Sequence, residues 1–111
     1  MANAKFGWDK ARARIVEAAG NALRDVGFVL QSRRLHLDMT QSDVAAETCR
    51  ILGVPARVQQ PHIDNLEDGE LPGVMGGSGY AEIEAVLRAL QWRDDDLDFM
   101  KHMIKEFARI R

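Results

Sequence analysis

Gln59, Gln60, His62 and Asn65 are the side chains whose types and spacing could do chemistry. A carboxamide carries a donor and an acceptor side by side. That pair matches the N6 and N7 edge of adenine. His62 and Asn65 stand three apart, so a helix would place them on one face, with Gln59 and Gln60 at its start. Ile63 and Leu66 repeat that spacing on another face and can pack inward. Pro61 suits a first turn, where its missing N–H has no partner to lose. Gly69 can take the left-handed conformation that ends a helix. The stretch Gln60 to Gly69 is therefore predicted to be a short helix. It could offer amides and an imidazole to base edges while its back rests on a core. A merely solvated polar face would have the same composition.

The rest of the chain must hold that helix. At 111 residues it is read as one domain, long enough for a core without disulfides or metal. A content of 46% hydrophobic and 29% charged residues is ordinary for a globular protein. A single cysteine, Cys49, excludes an internal disulfide and suggests a reducing compartment. The first residues lack the apolar core of a signal peptide, and no run approaches the ~18 apolar residues that span a bilayer. Together these predict a cytoplasmic protein. Charge is uneven: residues 1 to 57 carry 9 Lys/Arg against 6 Asp/Glu, and residues 58 to 111 carry 6 against 11. A basic face for nucleic acid would have to come mainly from the first half.

Taken in order, residues 1 to 8 read as an arm, and Asp9 could begin the first helix. Ile15, Val16, Ala19, Leu23, Val26 and Leu30 follow helical spacing. Gly20 and Gly27 each cost roughly 1 kcal/mol inside a helix. They predict either one bent helix or two helices broken near Asp25 to Phe28. Thr40 reads as an N-cap, with Asp43 near the positive end of the next helix. Val44, Ala45, Ile51 and Leu52 supply its inward face. Thr48 lies among them and could bond a carbonyl one turn back. Gly53 and Pro55 stop this helix. Residues 70 to 79, with Pro72 and four glycines, read as a flexible loop. Tyr80 to Leu90 forms a helix, and Asp94 to Asp96 begin the last one, striped with Leu97, Met100, Met103, Ile104, Phe107 and Ile110. Strand signals are nearly absent, so the fold class is all-α with five or six helices.

Two of these pieces together carry a resemblance. Val29-Leu-Gln-Ser-Arg-Arg-Leu-His-Leu-Asp-Met-Thr-Gln-Ser-Asp-Val-Ala45 resembles the first half of the lambda-repressor-like (Cro/C1, Xre-type) helix-turn-helix family. Gln60-Pro-His-Ile-Asp-Asn-Leu-Glu-Asp-Gly69 resembles its second half. Tyr80 to Leu97 is similar to the family's closing helices. Ala45 to Ile63 spans 18 positions, well beyond the usual spacing. The resemblance therefore implies an extra turn, Glu47 to Leu52, with the connector Val54 to Val58 absorbing the remainder. It divides the chain into an N-terminal arm and helix (1–28), a DNA-binding domain (29–99) and a C-terminal helix extension (100–111).

In that family the helix after the turn enters the major groove. By position the resemblance assigns base contacts to Gln59, Gln60, His62 and Asn65. It assigns phosphate contacts to Thr40 and Gln41, where a helix N-terminus suits an anion. Arg33, Arg50 and Arg57 are candidate phosphate contacts beside them. Arg34 and Glu67 resemble a structural salt bridge between the first and third helices. Asp64 sits poorly near phosphates. It would either accept from a cytosine amino group or face away.

The apolar residues beyond the minimal domain, Trp8, Ile15, Met103, Phe107 and Ile110, either pack on each other or form a homodimer interface, as paired half-sites require. His36, His62, His102 and Cys49 lack zinc-type spacing, so no metal is expected. No nucleophile elbow, phosphate loop or catalytic carboxylate pair occurs, so neither an enzyme nor a cofactor is expected. The implied function is a dimeric, sequence-specific transcriptional regulator of phage, plasmid or antitoxin type that binds double-stranded DNA, possible protein partners including a cognate toxin. The alternative is a protein-interaction module that keeps the fold, using the acidic, Met-rich second half.

Overall fold

Ala19, Leu23, Val26 and Leu30 are all buried, so the apolar periodicity of the first segment does define one inward face. The structure, a computed structural model, describes the backbone of residues 2–70 and 80–110 and the side chains of 9–70 and 81–110. Among the described residues there are five α-helices and no strand. They are α1 (Ala2–His36), α2 (Gln41–Leu52), α3 (Gln60–Glu67), α4 (Tyr80–Ala89) and α5 (Asp94–Ile110). The loop expected at 70–79 lies, beyond Glu70, outside the described residues.

α1 starts at Ala2 rather than Asp9, and of the two alternatives it takes the single helix, 35 residues without a break. Gly27 has a packing role within it. A methyl group built there would lie 2.3 Å from the Glu67 carbonyl oxygen and 2.7 Å from that of Leu66. The glycine is thus a crossing point where the C-terminal end of α3 rests directly on α1. Gly69 completes the crossing. Its φ is +84°, and a Cβ would lie 2.9 Å from the Arg24 backbone. α1 also passes through the 28/29 boundary, and α5 through 99/100, without interruption.

α2 is capped as its sequence suggests. The Thr40 hydroxyl accepts from the Asp43 N–H at 3.0 Å, and the Asp43 carboxylate accepts from the Thr40 N–H at 2.9 Å. This capping box satisfies two donors that a helix start leaves open. Thr48 is fully buried, and its hydroxyl donates to the Val44 carbonyl at 2.7 Å. α2 keeps the extra turn to Leu52 and ends at Gly53, with φ +72°.

The connector from 53 to 59 is pinned rather than loose. Val58 is buried, and its carbonyl and N–H both meet the Cys49 thiol, at 3.2 and 3.3 Å. Val58 joins a core built from Val26 and Leu30 of α1, Val44 of α2, Ile63 and Leu66 of α3, Leu87 of α4, Leu90 just past its end, and Leu97 and Ile104 of α5. Each such side chain contributes roughly 1.5–3 kcal/mol by leaving water. α2 packs on α3 and α4, while α1 packs on α3 and α5. The molecule measures 55 × 27 × 25 Å, and at ~1.5 Å per residue α1 alone accounts for the long dimension.

Candidate nucleic-acid interface

A polar network ties α1, α2 and α3 together at one end of the molecule. Arg34 donates from Nε to Glu67 Oε2 at 2.7 Å, from Nη2 to Glu67 Oε1 at 2.9 Å, and from Nη1 to the Met39 carbonyl at 3.1 Å. The two side chains are only 10% and 5% exposed. Bonding to Glu67 raises the Arg34 pKa above its ordinary value, against the burial that lowers it. The charged form is therefore locked in place. The Gln41 amide donates to Glu67 Oε1 and to Asp64 Oδ1, both at 3.1 Å. Its oxygen accepts from Gln60 Nε2 at 2.5 Å. Gln41, the first residue of α2, is thus joined to Gln60, the first residue of α3.

The single polar face expected on α3 splits in two. Gln60, Pro61, Asp64 and Asp68 are exposed together. His62 and Asn65 lie half-buried on the flank. His62 Nδ1 accepts the Gln59 N–H at 2.9 Å, so the imidazole caps its own helix and keeps only Nε2 for another partner. Gln59 is the exposed N-cap residue, and its amide donates to the Ala56 carbonyl at 3.4 Å.

The three candidate phosphate arginines are all engaged within the protein. Arg33 donates to the Leu90 carbonyl at 2.9 Å and the Gln91 carbonyl at 3.4 Å, with its guanidinium over the Trp92 ring. It thereby holds the end of α4, since cations suit a helix C-terminus. Arg57 pairs with the buried Glu82 at 2.7 Å and fastens the connector to α4. Arg50 pairs with Glu47 one turn away on an exposed surface. Only Arg50 could turn to a phosphate cheaply, because exposed pairs of this kind are worth ~0–1 kcal/mol. Thr40 remains exposed at the α2 start, with its hydroxyl in the capping box.

Reading the sequence alone missed three contributors. Asp64 receives the Gln41 amide, Cys49 grips the connector, and Glu82 anchors Arg57. An acid at the start of the apolar run Tyr80 to Leu90 was the one available hint of Glu82. Among the described residues no group of three or more metal-type ligands comes together. No helix of the described residues is long and apolar enough to cross a membrane.

Of the extension residues, Ile15 is 49% exposed and Ile110 is exposed, while Met103 and Phe107 are half-buried. Position 8 lies on the described backbone of α1, but the Trp8 side chain lies outside the described residues. No protein-family model, curated protein or solved structure matches the chain.

Proposed function

We propose that this chain is a sequence-specific DNA-binding transcriptional regulator with a lambda-repressor-like helix-turn-helix. It acts as a dimeric repressor of phage, plasmid or antitoxin type on an inverted repeat. The Gln60–Gln41 amide pair carries the reading. With one Nε2–H given to Gln41, Gln60 retains its other Nε2–H and its oxygen, the two groups that adenine N7 and N6 require. Gln41 in turn opens α2, whose first backbone N–H groups suit a phosphate. The base-reading residue is therefore held in place by the phosphate-contacting residue before DNA arrives, which lowers the entropy cost of docking.

The test is fluorescence polarization with DNA from either side of the gene, tiled to find an inverted repeat, at two salt concentrations. Gln60→Ala should weaken specific binding by roughly 5- to 150-fold, the equivalent of ~1–3 kcal/mol, and leave binding to unrelated DNA unchanged. Absence of binding, or affinity indifferent to salt, would overturn the reading.

One observation favours a second reading, a protein-interaction module built on the same fold. Asp64 and Asp68 share the exposed face with Gln60, and Arg50 and Arg57 are already paired. A protein partner, such as a cognate toxin, that co-purifies with a chain inert toward DNA would establish it.

A further inference from the structure

From Asp9 to Ala18 only Ala11 and Val16 are shielded at all, and each only partly. α5 begins beside Arg33 and runs back along α1 as far as the groove between Ala22 and Phe107. The first half of α1 therefore projects past the body of the molecule. An isolated helix of that length is marginal in water, since helices shorter than ~12–15 residues rarely hold alone.

The open side of α1 carries a heptad pattern. Positions 8, 15, 22 and 29 are Trp, Ile, Ala and Val, and positions 4, 11, 18 and 25 are Ala, Ala, Ala and Asp. These are the a and d positions of a coiled-coil seam. The seam borders the buried face that α1 turns to its own core at Leu23, Val26 and Leu30. Ile15 and Val29 on it are 49% and 45% exposed, and Ala18 and Asp25 are exposed as well.

We infer that this seam docks a second copy of the chain, with the two α1 helices pairing antiparallel about a twofold axis between Val16 and Glu17. In that register every a position stands level with a d position of the other copy. Ile15 faces Ala18, Ala22 faces Ala11, and positions 29 and 25 stand level with positions 4 and 8. Ala11, Ala18 and Ala22 let the backbones approach toward the short end of the ~8–10 Å range for packed helices.

Two features outside the heptad pattern agree with this occupant. An apolar groove of about 260 Å³ lies between α1 and α5, lined by Ala22, Asp25, Val29, Met103 and Phe107. The register brings position 8 of the other copy to the level of that groove. Charge is also complementary. Asp25 of one copy stands level with position 8 of the other, one turn from Arg12, which a parallel pairing would not achieve.

The proposal deepens the dimer of the DNA-binding reading, yet the seam does not depend on DNA. On that reading it adds a dimension. The two Gly27 crossings, which seat α3 in each copy, stand roughly 32 Å apart along the seam, against ~34 Å for one turn of B-DNA.

The test uses the full chain without DNA. Light scattering should report a dimer, and Ile15→Glu should raise its dissociation constant at least tenfold, with circular dichroism losing at most the helix ahead of Ala19. Cysteines then fix the register. Ala11→Cys and Ala22→Cys proteins should not cross-link alone but should cross-link when mixed, because these positions face each other only across an antiparallel pair. Within one chain they lie about 16 Å apart, too far for a disulfide. A monomer, or cross-links between identical positions, would overturn the proposal. A monomer that still binds the inverted repeat would sink the seam alone, and a cross-linked dimer inert toward DNA would sink the DNA reading alone.

Discussion

Glu67→Ala is the sharpest test of how α3 is held. The substitution removes both charge-assisted bonds to Arg34, at 2.7 and 2.9 Å, and one bond from Gln41. Arg34, whose side chain is 10% exposed, would keep only the Met39 carbonyl. Removing one partner of a buried pair costs ~3–5 kcal/mol, because the other charge stays buried and unmatched. Native domains hold only about 5–15 kcal/mol in total. At roughly 3–6 °C per kcal/mol for a chain of this size, the melting temperature should fall by about 10–25 °C. Urea titration followed by circular dichroism gives the free energy directly. A double-mutant cycle separates pairing from burial. Arg34→Met should be costly alone, whereas Arg34→Met with Glu67→Leu should recover much of the loss, since an apolar pair can replace a buried ion pair at little cost. A loss below ~1 kcal/mol for Glu67→Ala, the value of an exposed pair, would refute the reasoning. So would strictly additive effects in the cycle.

The two buried-face glycines of α1 should respond in opposite directions. Gly27→Ala forces a methyl onto the Glu67 carbonyl and should destabilise by ~1–3 kcal/mol or more, whereas Gly20→Ala meets nothing within 4 Å and should stabilise by up to ~1 kcal/mol. Equal melting temperatures for the two variants would contradict the crossing. Acid should destabilise the fold through four carboxyls held below their usual range. Asp43 is lowered by the Thr40 N–H and hydroxyl, Glu47 by Arg50, Glu84 by Lys101, and Glu106 by Arg109. A depressed folded-state pKa stabilises fully above the unfolded values, near 3.8 for Asp and 4.5 for Glu, and that contribution is lost as pH falls through the lower folded values. Melting temperature should therefore hold from pH 7 to about 5 and decline below about 4. A rise on acidification would contradict this assignment.

Much of the local architecture was legible because it is decided within one or two turns of chain. The Thr40 cap, the back-bonded Thr48, the Gly53 and Gly69 stops and the inward Ile63–Leu66 pair each depend on neighbours a few residues away. The all-α class followed from the same short-range periodicity. The Arg34–Glu67 bridge came from family resemblance, not from spacing, since 33 positions separate the two residues.

What only the tertiary structure decided was the partner of each polar group. Arg33 and Arg57 read as candidate phosphate contacts in sequence, and the partners they have within the protein lie 57 and 25 positions away. Gly27 read only as a cost that would bend or break the helix, because its value appears only when the α3 carbonyls arrive against it. His62 gave no sign in sequence that its Nδ1 would accept the Gln59 N–H. A helix signal is local because its hydrogen bonds close within four residues. The pairing of a charge depends on which distant segment the core brings beside it, and no short window of sequence holds that information.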